Sequence, residues 1–424
     1  MIYFGAGSEH TSLSDEDIRA GLFESFDRMG PVRKILVIPP DYSRYHSRSG
    51  EITSLIYSYF SDSVQHILPA LGTHQPMSSE ERSIMFPGVP GHLFKVHDWR
   101  RDIATLGSIN GHQLRNISRG KVHYDWNVQV NKLLVEGNHD LILSVGQVVP
   151  HEVAGMANHN KNIFIGTGGP DSIHKSHYLG AVCNMESIMG RIHNPVRYLL
   201  NQAELLFSDQ LPRIVYILTV IGKNDTGENV MRGLYVGDDQ ECFEHAAALS
   251  KRVNFEIFET PLSKVLVYLH PNEFKSTWLG NKAIYRTRMA LADQAQLKIL
   301  GPGIHTFGED PIIDQLIRKY GYRGTDHTIE AVNANRELSE SLATAAHLIH
   351  GSSEGRFQIT YAPGKLSRKE IEDMGYSYES PETLMRNYRP ENLKDGFNTL
   401  PDGEEIYYIS NPALGLWTTN EKLK

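Results

Sequence analysis

Five short segments of the chain carry residue types that chemistry on a small anionic molecule requires. Asp41-Tyr-Ser-Arg44 couples a carboxylate to a guanidinium, whose planar fork grips a carboxylate through two parallel hydrogen bonds. Leu71-Gly72-Thr-His74-Gln-Pro76-Met-Ser78 places a histidine just after a glycine that lets the backbone turn. Histidine titrates near neutrality and is the usual general acid or base. Val149-Pro-His151-Glu-Val-Ala-Gly155-Met-Ala-Asn-His-Asn-Lys161 adds two histidines and a lysine, which can serve as an electrophilic partner, a phosphate ligand or a covalent tether. His174-Lys-Ser-His177 sets two histidines three apart, so that on a helix they share a face, as metal ligands often do. Trp278-Leu-Gly-Asn-Lys282-Ala-Ile-Tyr-Arg286 sets Lys282 and Arg286 four apart, on one face of a helix.

Taken singly, each segment has an ordinary alternative. These are a solvated ion pair at Asp41–Arg44, an idle loop histidine among twenty, a lysine reaching out to water, a packed or capping histidine, and a solvated basic face. Neither H-E-x-x-H nor an acidic triad completes an all-protein metal site, so a metal at these histidines needs donors from elsewhere, such as a cofactor. The G-x-G-x-x-G fingerprint, the Walker loop and the G-x-S-x-G elbow are absent from the sequence. Ordinary NAD, ATP and serine-hydrolase readings thereby lose their best support.

The elements that position these segments read as alternating strands and helices. Apolar runs predict strands over Ile35–Ile38, Val64–Leu71, Leu141–Val145, Asn162–Ile165, Ile214–Ile221, Lys264–Leu269 and Leu297–Leu300. Most are continuous rather than alternating, the pattern of strands buried on both faces. Helical patterns lie between them at Ser14–Met29, Ser49–Phe60, Met185–Leu206 and Gln240–Val253, the first with Ser14 as N-cap. The expected class is α/β, with two domains of mostly parallel, doubly wound sheets, 1–255 and 256–424, divided near Asn254–Pro261. Ligands in such folds bind beyond the carboxyl ends of strands, where the first three segments fall. The stretch after about Lys365 reads as peripheral.

Bulk properties narrow the class. The 424 residues, 40% hydrophobic and 22% charged, are enough for a sizeable core. A net charge of −8 argues against a nucleic-acid partner. The two cysteines, Cys183 and Cys242, exclude a disulfide framework. The first residues do not form a secretory signal, and no run reaches 18 apolar residues, so no membrane association and a cytoplasmic location are expected.

In order and spacing, these segments resemble the lactate racemase family, whose members use a nickel-pincer nucleotide. Asp41 and Arg44 match its Asp-x-x-Arg. Gly72, His74, Pro76 and Ser78 match its Gly-x-His-x-Pro and the hydroxyl residue that follows. His151, Ala154-Gly155 and Lys161 keep its ten-residue step from histidine to lysine, and His177 keeps the sixteen-residue step to its nickel ligand. Gly233-Leu-Tyr-Val-Gly237-Asp238 is similar to its Gly-x-x-x-Gly-Asp strand end, and its second-domain lysine falls on Lys282. The family's Gly-Gly-Arg-Lys-Ser is Asn158-His159-Asn160-Lys161-Asn162 here, its Tyr-Gln pair is Trp278-Leu279, and Tyr42 and Tyr45 stand for His and Pro.

The resemblance implies a cofactor cleft between the two domains. It also implies pyridinium-3,5-bisthiocarboxylic acid mononucleotide nickel, tethered to Lys161, with His177 as a nickel ligand and Gly72, Ser78 and Gly155 as further cofactor contacts. Soft sulfur with imidazole in a planar arrangement suits Ni(II). The implied reaction inverts C2 of a 2-hydroxy acid by hydride transfer through a 2-keto acid, with His74 and His151 as acid and base. Arg44, Lys282, Asp41 and Trp278 would bind substrate, and cofactor-biosynthesis enzymes would be partners. The departures suit an altered substrate, such as a polyhydroxy acid of the aldonate type. Readings of another class are a divalent-metal hydrolase and a binding protein without turnover.

Overall fold

The computed structural model describes residues 1–413 and 415–423. The chain forms two compact units: Met1–Leu179 with Ile188–Asn254, and Gly180–Ser187 with the residues from Phe255 onward.

The first unit contains β1 (Ile2–Gly7), β2 (Ile35–Ile38), β3 (Val64–Ile67), β4 (Ile103–Ile109), β5 (Trp126–Asn131), β6 (Leu141–Gln147), β7 (Pro150–His151), β8 (Gly155–Met156), β9 (Arg213–Lys223) and β10 (Asn229–Gly237). Its main sheet runs β1-β10-β9-β6-β2-β3. β9, β6, β2 and β3 are parallel, and β10 and β1 close one edge antiparallel. Every residue of β2 and β6 is buried, as continuous apolar runs require in a sheet covered on both faces. The chain passes from β2 outward to β3 and returns to β6 on the other side of β2. The carboxyl ends of β2 and β6 therefore flank a topological switch point. The hairpins β4–β5 and β7–β8 stand apart from this sheet.

The second unit contains β11 (Phe255–Phe258), β12 (Leu262–Tyr268), β13 (Leu291–Gly301), β14 (Gln358–Pro363), β15 (Ser377–Tyr378), β16 (Gly396–Thr399), β17 (Glu405–Ile409) and β18 (Leu416–Thr419). Its sheet runs β15-β14-β13-β12-β17-β16, parallel except for β16 against β17, and β11 pairs with β18.

Sequence and structure differ in instructive places. The strand expected over Val64–Leu71 ends at Ile67, because Pro69 has no N–H to donate. Leu68 and Ala70 still bond to Val37 and Pro39. Asn162–Ile165 is no strand but one π-helical turn, Asn162–Gly166, with Ile163–Gly166 buried. A short buried apolar run has no period that tells the two apart. The helix expected over Met185–Leu206 is two, Met185–Ile188 and Pro195–Phe207. Asn194 caps the second and Pro195 opens it, where a missing N–H costs nothing. The stretch after Lys365 is not peripheral, since β17 pairs with β12 and Ile406–Ile409 are buried.

Candidate active site

Each of the three leading segments starts where a strand of the main sheet ends. Beyond β2, Asp41 N-caps the tight turn Tyr42–Ser47 by accepting the Ser43 N–H at 2.9 Å, and it also accepts the Ser43 hydroxyl. Its other carboxylate oxygen lies 2.6 Å from His74 Nδ1. Asp41 is buried. Burial alone would raise its pKa, but the bonds from His74 and Ser43 outweigh it and hold the carboxyl below its ordinary value. An ionised carboxylate accepts, so His74 donates from Nδ1 and keeps its lone pair on Nε2. The His74 ring is 62% exposed and can meet a ligand. Arg44 sits half-buried in the same turn. Tyr42 packs with Met77, Met85 and Phe86, and Tyr45 is exposed.

Gly72 turns the chain at φ +55°, and its N–H bonds to the Gly166 carbonyl at 2.8 Å. Ser78 has a structural role, capping the helix Ser79–Met85 in a capping box with Glu81.

Beyond β6, the β7–β8 hairpin carries His151. Its Nδ1 accepts the Val153 N–H at 3.1 Å, so the neutral ring bears its proton on Nε2. Burial pushes its pKa well down, Glu152 opposes this, and Lys161, His177 and Arg44 push it down further. Gly155 is a packing requirement, since at φ +78° a Cβ would lie 1.9 Å from the Arg191 carbonyl oxygen. Lys161 starts the π-helical turn. Burial lowers its amine to about 8, with Arg44 and Arg197 adding to the effect and Glu152 and Asp41 opposing it. A lysine so depressed has a usable fraction of nucleophilic amine near neutrality.

His177 lies on the helix Pro170–Val182. The β4–β5 hairpin holds the first turn of that helix: Asn127 N–H donates to the Asp171 carboxylate at 3.1 Å, and Gln129 N–H to the Ser172 hydroxyl at 2.8 Å. His177 Nδ1 lies 2.7 Å from the Ile173 carbonyl, which only accepts. The proton is therefore on Nδ1 and the lone pair on Nε2. Burial, with Lys161 adding, lowers this histidine to about 4. A neutral imidazole whose other nitrogen donates to a backbone carbonyl is the usual state of a metal ligand. His174 instead packs against Trp99, ring centroids 5.4 Å apart. Among the described residues, no group of three or more His, Cys, Asp or Glu side chains is placed to hold a metal ion. A metal at His177 would therefore need donors other than these side chains.

The first unit thus brings Asp41 to His74 directly, and places Lys161, His177 and Arg44 within electrostatic reach of His151. Residues 25–190, which span every site residue from Asp41 to His177, match the family model of the lactate racemase N-terminal domain. Over these residues the chain is similar to that domain. No curated protein matches it. The lactate racemase apoprotein of Thermoanaerobacterium thermosaccharolyticum shares its fold, with TM-score 0.71 at 16% identity, over 98% of this chain and 94% of that one. A crystal structure of a protein from Thermotoga maritima has TM-score 0.81 at 21% identity, over 98% and 100%.

Two segments have a different setting from the one the sequence suggests. Asp238 accepts the Tyr3 hydroxyl at 2.6 Å and pairs with Arg213. Because β10 runs antiparallel to β9, Asp238 lies at the end of the sheet away from His74 and His151. Arg286 is buried, so it does not form a solvated basic face with Lys282. In the second unit, Trp278 stacks on His347 with centroids 4.3 Å apart, and Lys282 is half-buried with its Nζ 5.8 Å from the Phe274 ring. Sequence reading missed Glu152, Arg197 and Glu204. A charged residue in a loop or a helical pattern reads as solvent-facing, and no local signal marks it as part of a buried network.

Proposed function

We propose that this protein is an isomerase that inverts C2 of a 2-hydroxy acid with a nickel-pincer nucleotide tethered to Lys161. The observation that carries the reading is the pairing of an Asp41-oriented His74 with a neutral His177 whose Nε2 is available, in the unit that also holds the depressed Lys161. When bound, the nucleotide would supply reversible acceptance of hydride.

The protein's own part follows from proton positions. His74 Nε2 takes the substrate hydroxyl proton, and Asp41 stabilises the imidazolium that results. His151, with its proton on Nε2, donates that proton to the keto oxygen as the opposite enantiomer forms, and the two rings exchange roles, through solvent, for the reverse inversion. Arg44 holds the carboxylate through its fork, and the family resemblance gives Lys282 and Trp278 a part in substrate binding. Lys161 and His177 would hold the cofactor, one through a covalent bond and the other through the metal.

The test uses protein co-produced with the cofactor-making enzymes. Intact mass should show a mononucleotide adduct that maps to Lys161 and is lost in Lys161→Ala. Nickel should be bound by the wild type and lost in His177→Ala. Substrate deuterated at C2 should keep its label through inversion in ordinary water. An adduct on another lysine, or wash-out of the label on every inversion, would reject this function.

A further inference from the structure

Beneath the loop that carries Lys161 lies a charged network built on a fully buried arginine, with a half-buried glutamate at its outer end. Arg197, on the helix Pro195–Phe207, is fully buried. Its guanidinium donates to the Met156 carbonyl at 2.5 Å, to the Asn160 side-chain oxygen at 2.6 Å and to the Asn158 carbonyl at 3.3 Å. Three successive anchor points before Lys161 are thus held by one rigid fork. Glu204, two turns further along the same helix, accepts the Asn160 amide at 2.9 Å and the Tyr216 hydroxyl at 2.8 Å. Asn160 is therefore gripped at both ends of its amide group.

The backbone here needs such support. Asn158 and His159 both have left-handed conformations, φ +67° and +58°, a region that glycine enters freely and Asn and His at some cost. Each is fixed by its side chain. Asn158 fits over Gly146 of β6, where a Cβ would approach its amide nitrogen to 2.0 Å. The His159 ring is buried between Tyr216 and Phe243, centroids 4.0 and 5.0 Å away, and Arg197 lies over Phe243 at 4.4 Å.

We propose that Arg197 is a positioning residue for Lys161, its three-point grip on residues 156–160 holding the lysine amine where the cofactor would be attached. The inference rests on the reading of Lys161 as the tether. A lysine would keep the charge of Arg197 but reach only part of the three acceptors. Charge is thus separable from grip.

The experiment measures the modification of Lys161 by acetic anhydride against pH, in cofactor-free protein, with the exposed Lys95 as internal reference. Hydrogen exchange of residues 156–161 is followed in parallel. The wild-type midpoint for Lys161 should lie near the value of about 8 that burial imposes. In Arg197→Lys it should rise by roughly one unit or more, as the loosened lysine gains water, and exchange at 156–161 should quicken. Asn160→Ala, which removes the shared acceptor, decides in the same way should Arg197→Lys not fold. A folded variant with a wild-type midpoint and wild-type exchange overturns the proposal, even where thermal stability falls. Occupancy of the adduct is then read in co-produced protein. Its absence from the wild type would reject Lys161 as the tether, while the apoprotein midpoints would still report on Arg197.

Discussion

Replacing His159 by Phe tests the energetic account of the tether loop without any ligand. The His159 imidazole is 1% exposed, and burial lowers its pKa from 6.5 to about 4. The folded protein therefore resists protonation of a ring that the unfolded chain protonates freely. The stability tied to this ring is accordingly complete above pH 6.5 and is lost as pH falls towards 4. Each unit of separation is worth about 1.4 kcal/mol. The whole gap is then about 3 kcal/mol, of which about 2 kcal/mol is lost by pH 5. Phenylalanine keeps a ring between Tyr216 and Phe243 but cannot titrate, and its strain at φ +58° is the same at every pH. Urea unfolding of cofactor-free protein at about pH 7.5 and about pH 5 isolates the effect of this ring. Wild type should lose about 2 kcal/mol more than His159→Phe across that interval. His139 and His177, both lowered to about 4, contribute equally to each protein and cancel. Equal losses in the two proteins would refute the view that His159 is held neutral by burial.

Asp41→Asn should lower kcat/KM for inversion by about 10²–10⁴-fold, since an amide can donate to His74 Nδ1 and leave the proton on Nε2; nitrogen NMR of His74 should report that change of tautomer. Arg44→Lys should lower kcat/KM roughly tenfold or more on the true substrate despite unchanged charge, because the ammonium lacks the fork; unchanged kinetics would assign the carboxylate to another residue. Glu186→Gln should destabilise the protein by about 3 kcal/mol in denaturant titration, as it strips the countercharge from the buried Arg288. In the wild type, burial would raise the Glu186 pKa, but Arg288, Lys422 and Arg356 together hold it below its ordinary value. Its contribution is thus present at neutral pH and lost as pH falls through the carboxylate range, and the variant should lack that part of acid unfolding.

The sequence by itself marked runs such as Ile35–Ile38 and Leu141–Val145 as buried on all sides, because a continuous apolar run leaves no polar face for water. It also set the order and spacing of Asp41, His74, His151 and Lys161, which follow the strands β2, β3 and β6 in turn. The helix start at Ser14 was legible because capping is local chemistry. Tertiary structure decided what depends on the partner of a group rather than on its type. Nothing local distinguishes Asn162–Ile165 as a π-helical turn, and nothing local says that Gly155 makes room for the Arg191 carbonyl. The nitrogen that carries the proton in His74, His151 and His177 is fixed by Asp41, the Val153 N–H and the Ile173 carbonyl respectively. Two of these partners are close in sequence, yet only folded geometry aims them. Arg197 is the extreme case: a guanidinium read from sequence belongs in water, and it is buried only because three oxygens and an aromatic ring, from segments far along the chain, meet around it.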